Sequence, residues 1–208
     1  MAAGAACAGS ASPRCCASRS RPPPPRGRPG GAPPPTPARG APRPPPPDPG
    51  VTEAAADYGG GCALYPDNRA ATIDALRFRC GPEQQDAIFR DAPRGAVPTG
   101  VKDGWVTRPP SIQGISSAFW IGKIFYTGPD GGTLTNRVTG AGYEAWPAYV
   151  YTAPALLDGN PAWALDYAPA PTPQVYDEIR EVTPGVWFGY SWWRGGVQTT
   201  MLLTFVLT

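Results

Sequence analysis

Asp158-Gly159-Asn160-Pro161-Ala162-Trp163 and, further on, Asp177-Glu178-Ile179-Arg180-Glu181-Val182-Thr183-Pro184-Gly185-Val186-Trp187-Phe188-Gly189 punctuate the C-terminal part of this chain. Asp-Gly is a strong hairpin signal, because a type I′ turn needs positive φ at both central residues. Pro-Gly suits a turn with proline second and glycine third. Short, aromatic-rich segments lie between the two turns, and an acidic-basic cluster stands directly before the second. This is the pattern of a small antiparallel barrel that wraps its inner surface around one hydrophobic molecule.

The same grammar extends upstream and downstream. Residues 118–126 (Ala-Phe-Trp-Ile-Gly-Lys-Ile-Phe-Tyr) read as a strand, and Gly128-Pro129-Asp130-Gly131-Gly132 returns the chain into residues 133–138. Gly140-Ala141-Gly142 precedes Tyr149-Val150-Tyr151, and Arg194-Gly195-Gly196 separates residues 186–193 from 199–207. Turns at this spacing give roughly seven to nine strands, enough for a barrel or a sandwich. A barrel is preferred because closure removes free edges. In the last strand Met201, Leu203, Phe205 and Leu207 are expected to face the interior, and Thr200, Thr204 and Thr208 water. Ahead of the strands, residues 72–90 carry a helical pattern. Gly81-Pro82-Glu83 is a helix start, since proline suits the first position and a carboxylate opposes the positive dipole end. One helix of about ten residues is expected, placed over a barrel mouth.

Composition divides the chain. Of its 30 prolines, 16 fall in residues 1–50, with seven arginines and one acid, Asp48, for a net charge of +6 (7 − 1). The remainder carries 11 basic and 15 acidic residues, hence −4, and the two sum to the overall +2. The folded part is therefore acidic, without a basic stripe, and nucleic acid is not an expected partner. Residues 1–50 are expected to be a disordered, transit-peptide-like leader with a Pro-rich linker, addressed to the chloroplast: the first twenty are rich in Ala, Ser and Arg and have no acid. The proline blocks favour polyproline II and cannot build a core. An irregular lead-in over 51–71 and a helix-plus-barrel domain over 72–208 complete the expected organisation. No window holds the ~18 apolar residues of a spanning helix.

The chain has no histidine, which removes Ser-His-Asp and Cys-His catalysis and His-type zinc or haem sites. Neither a cofactor nor a metal is expected, since the acids lack ligand spacing and no Gly-rich loop opens a helix. Cys62 and Cys80, the two cysteines beyond the leader, are expected as reduced thiols; a bridge between them would imply a more oxidising site.

The order Trp120-x-Gly122-Lys123-x-Phe125, Asn136-Arg137, Asp158-Gly159-x-Pro161, Leu165-Asp166-Tyr167 and the Asp177–Gly185 run resembles a family of small bacterial and algal proteins. With the helix and the Ala92-Pro93-x-Gly95-x-Val97-Pro98-x-Gly100 segment, the resemblance covers residues 76–208. It implies a calycin-type architecture similar to lipocalins and fatty-acid-binding proteins, and brings no activity with it.

Candidate ligand contacts are Trp120, Lys123, Tyr149, Tyr151, Tyr167, Arg180 and Trp187. Arg180 either points inward to a ligand carboxylate or is held by Glu178 or a neighbouring-strand carboxylate to close one barrel end. Lys123 interrupts an apolar strand. Inside the barrel it needs a carboxylate, with Asp166 the natural partner, or a ligand head; outside it is a solvated charge. Aromatics at strand spacing either pack a core or wall a cavity for a flat or polyene molecule. Trp192 and Trp193 are consecutive, so an outward one offers a membrane-surface or partner contact. The expected function is binding of a small hydrophobic ligand of the lipid, carotenoid or tetrapyrrole class. The alternatives are a cofactor-free cyclase or isomerase, using Glu178, Lys123 or a Tyr as proton carrier, and a packed structural barrel.

Overall fold

The computed structural model describes residues 56–208; the leader, the proline blocks and the start of the lead-in lie outside the described residues. A two-stranded antiparallel sheet, β1 (Ala56–Asp57) and β2 (Ala63–Leu64), leads into helices α1 (Arg69–Phe78) and α2 (Pro82–Asp91). Then come β3 (Gly100–Arg108), a short helix α3 (Pro110–Gln113) with a 3-10 turn (Ser116–Ala118), and seven more strands: β4 (Trp120–Gly128), β5 (Gly131–Val138), β6 (Tyr143–Pro154), β7 (Pro161–Asp166), β8 (Val175–Thr183), β9 (Val186–Arg194) and β10 (Thr199–Leu207). β3 to β10 pair antiparallel in chain order, and β10 closes on β3. The protein is mainly β, an eight-stranded up-and-down barrel. No described helix is long and apolar enough to cross a membrane.

Where one helix is expected, two form. Asn68 caps α1 through its side chain, which accepts from the Ala71 amide. Gly81-Pro82 then starts α2 as a proline at the first turn should. The helices cover the outer wall of the barrel, not a mouth. Their residues Leu76, Ile88 and Phe89 pack on Phe188, Tyr190 and Val206, which point outward from β9 and β10. From Thr204 onward the outer face of β10 is accordingly dry. Thr204, expected in water, is fully buried and bonds Thr107 and Gln85. Met201 also joins this outer layer, because a bulge between Met201 and Leu203 shifts the parity of the strand. Cys62 and Cys80 are joined in a disulfide that ties β2 to the α1–α2 turn, which corrects the expectation of free thiols.

The Asp158-Gly159 connection is wider than a two-residue hairpin: β6 ends at Pro154 and β7 begins at Pro161. Gly159 keeps its positive φ of 75°, while Asp158 is used elsewhere. Its carboxylate takes two bonds from Arg180, both 2.7 Å, and Arg180 also donates to the Phe89, Asn160 and Pro161 carbonyls. Arg180 is fully buried under α2, on the outer face of β8.

The lumen is packed in one half. Leu134, Val150, Trp163, Leu165, Ile179, Trp187 and Leu207 fill it toward the β4–β5, β6–β7 and β8–β9 turns. The segment between α2 and β3 plugs that end: Trp163 and Trp187 donate to the Gly95 and Ala96 carbonyls, and Glu181 accepts from the Ala96 amide.

Candidate functional site

The other half of the lumen is open. A cavity of about 480 Å³ lies between α3, the β5–β6 turn and the β7–β8 loop. Its wall is apolar: Trp120, Val138, Trp146, Val175, Leu203 and Phe205, with Ile115 and Phe119 at the lip. The last two are largely exposed, at 59% and 67%. Gly104 makes the wall possible, since a Cβ there would collide with the Trp120 ring.

Lys123, Asn136, Tyr167 and Asp177 form the floor, each more than nine-tenths buried. A bulge between Trp120 and Gly122, with Gly122 at φ 138°, turns Lys123 inward on the same side as Trp120. One extra residue in a strand is enough to reverse which face the next side chain takes. The Lys123 Nζ donates to Asn136 Oδ1 at 2.9 Å, Tyr167 OH at 2.5 Å and Asp177 Oδ2 at 3.0 Å. It also lies 5.1 Å from the ring centroid of Phe205 and 5.3 Å from those of Trp120 and Tyr167. These are distances at which a ring face attracts a cation. Burial pulls the Lys123 pKa down from its ordinary value, and the Asp177 carboxylate partly opposes this. Burial first, then the Asp177 charge, push the Tyr167 phenol well up, so it stays protonated. The carboxylate partner is Asp177 rather than Asp166, which sits outside and binds Arg194 and Tyr151.

Trp146 sits at the mouth with φ 49°. That is a strained conformation for a bulky residue. The strain occurs at an irregularity where Leu134 faces Ala148 and Asn136 faces Ala145. It turns the Trp146 carbonyl toward the Asn136 amide, 2.9 Å away.

Of the sequence candidates, Trp120, Lys123 and Tyr167 come together here. Trp187 is in the lumen but in its packed half. Tyr149 and Tyr151 are on the outer face, 51% and 40% exposed, because the inward positions of β6 are Ala148 and Val150. Arg180 and Glu178 also face outward; Glu178 accepts from the Leu156 and Leu157 amides. Trp192 stacks on Tyr190 under the helices, and Trp193 is the more exposed of the pair at 39%. Asn136, Asp177 and Trp146 belong to the site and are not among the sequence candidates. Asn136 carried a signal, as a polar residue two positions from the inward Leu134 and Val138, and Asp177 carried one as the first residue of the acidic-basic cluster. Among the described residues no group of three acids or cysteines is placed to hold a metal.

No protein-family model matches the chain, and no curated protein does. Among solved structures, one described as "Crystal structure of protein from Thermomonospora curvata" aligns over 62% of this chain and 87% of its own, at 16% identity and a TM-score of 0.42.

Proposed function

We propose that the protein binds a small, predominantly apolar molecule in the open half of its barrel, in the manner of lipocalin-like proteins. The observation that carries this reading is the cavity of about 480 Å³, with mainly apolar walls, charged groups only at its floor and the hydroxyls of Ser116, Thr172 and Ser191 as its other polar side chains. That volume lies within the usual range of small-molecule sites. A lipid-like molecule of modest length fits it; a carotenoid or tetrapyrrole would protrude through the mouth. A packed scaffold has no use for such a space. Of the proton carriers considered for the cyclase or isomerase reading, Glu178 lies outside the lumen, the three N–H groups of Lys123 are committed, and the Tyr167 hydroxyl on the cavity floor already donates to Asp177.

The test is titration of the full-length chain with Nile red, a neutral dye that brightens in apolar surroundings. Saturable brightening by the native chain, lost when Leu203→Trp or Val175→Trp fills the cavity, supports the reading. No brightening, or equal brightening by the filled variants, overturns it.

For the compartment we propose a plastid, on the acid-free, basic composition of residues 1–20. The Cys62–Cys80 bridge favours one of its oxidising spaces. A fluorescent fusion of residues 1–60 that stays cytosolic would count against this address.

A further inference from the structure

Hydrogen-bond accounting on the cavity floor leaves one group open. Lys123 uses its three donors on Asn136, Tyr167 and Asp177. Asn136 donates to the Trp146 carbonyl and to Tyr167, and its oxygen accepts from Trp120 Nε1 and Lys123. The Tyr167 hydroxyl accepts from Lys123 and Asn136 and donates to Asp177 Oδ2. Asp177 Oδ1 alone is without a partner; this oxygen is itself covered, just behind the surface that the rest of the residue, 4% exposed, presents to the cavity. An unpaired carboxylate oxygen in a dry site is costly, and a donor that meets it gains a charge-assisted bond.

Building on the lumen-binding reading above, we infer that the occupant is a neutral molecule whose apolar body fills the cavity and whose inner end gives an O–H to Asp177 Oδ1 as the carboxylate turns to meet it: an alcohol or phenol. A carboxylate ligand is disfavoured twice. It brings negative charge onto an acceptor already negative, and it finds no free N–H on Lys123. An ammonium ligand would stand beside the Lys123 ammonium in a low-dielectric site. A ketone, ether or ester, with acceptors only, leaves Oδ1 unpaired, and sites built around a hydrogen bond discriminate against such analogues. Ser191 faces Asp177 across the β8–β9 pairing and also lines the cavity, so its hydroxyl can serve the ligand oxygen's lone pair.

The experiment is calorimetric titration of the full-length chain with three molecules of one skeleton: decanol, its methyl ether and decanoate. Decanol should bind about ten-fold more tightly than the ether, the gap expected for one buried hydrogen bond. Decanoate should bind more weakly than decanol as well. If the ether matches decanol, or decanoate binds best, the donor inference is overturned while lumen binding stands. If none of the three binds although Nile red does, the inference is again overturned. If Nile red also fails, the lumen reading falls and takes the inference with it.

Discussion

Lys123 Nζ and Asp177 Oδ2 lie 3.0 Å apart although their strands are on opposite sides of the barrel. Around the ring, β4 and β8 are four steps apart in either direction, through β5-β6-β7 or through β3-β10-β9. The ion pair therefore spans the lumen and separates a packed half from a hollow one. Asn136 on β5 and Tyr167 at the end of β7 complete the brace.

Removing one end of this brace strands a buried charge. Lys123→Met should destabilise by about 3–5 kcal/mol, the usual cost of breaking a buried pair. Lys123→Met combined with Asp177→Leu should recover most of that loss, because neither charge is then desolvated. Urea denaturation of the four proteins in this cycle measures it. A single variant within about 1 kcal/mol of native would show that the pair does not brace the barrel.

Arg180 acts at a distance from the cavity. Arg180→Ala leaves Asp158 without its cation and takes a side-chain donor from the Phe89, Asn160 and Pro161 carbonyls, of which Asn160 keeps the Ala155 amide. A loss of about 3–5 kcal/mol is expected, as for other broken buried pairs. Nile red affinity should remain native at temperatures where the variant is folded. A variant that melts like the native protein but loses affinity would return Arg180 to the binding site.

The same pair sets an acid limit. Bonds from Arg180 hold the Asp158 carboxyl below its ordinary value, against the opposing effect of burial. A depressed folded-state pKa gives stability that is present above the unfolded pKa, near about 4, and lost as pH falls through the folded value. Native stability should decline in that acid window. Asp158→Asn should be less stable at neutral pH and flatter below pH about 4, as read from melting curves across pH. Parallel curves for the two proteins would refute the assignment.

Turn chemistry was legible before the structure, because it is local. Pro184-Gly185 joins β8 to β9 directly, with Gly185 at φ 76°, and Pro129-Asp130 joins β4 to β5. Facing was less legible, because a bulge reverses parity without changing composition. The irregularity at Trp120/Gly122 puts Lys123 with Trp120 and Phe125 rather than with Ile121, and the one at Met201/Leu203 moves Met201 outward. Partner choice was illegible. Nothing in a flat reading of the strands prefers Asp177 to Asp166 as the partner of Lys123, and only closure of the barrel brings β8 opposite β4. The dry outer face needed the helices to be placed, which no strand pattern contains.

The disulfide closes a short loop, since Cys62 and Cys80 are 18 residues apart. For a loop of that size, closure entropy gives about 3 kcal/mol of stabilisation. Cys62→Ala with Cys80→Ala should lose about that amount, mostly by loosening β2 and α1 from the barrel wall. Hydrogen exchange should then quicken in residues 56–91 and stay slow in β4 to β7. Uniformly faster exchange would mean that the helices and barrel unfold as one unit.

Trp146 tests whether strain at the mouth serves the cavity. Glycine adopts positive φ without penalty, so Trp146→Gly should relieve strain on the order of 1–3 kcal/mol. The lost indole is 42% exposed. Its remaining burial is worth a comparable amount, so the net stability change should be small. Binding should respond differently. Without the ring, the cavity loses a wall at its opening, and Nile red should bind about ten-fold more weakly with faster release, as for loss of one aromatic contact. Trp146→Phe keeps both an aromatic ring and the strain, and should bind close to native. If Trp146→Gly binds as tightly as the native chain, the ring is no part of the site and its conformation serves only to present its carbonyl to Asn136.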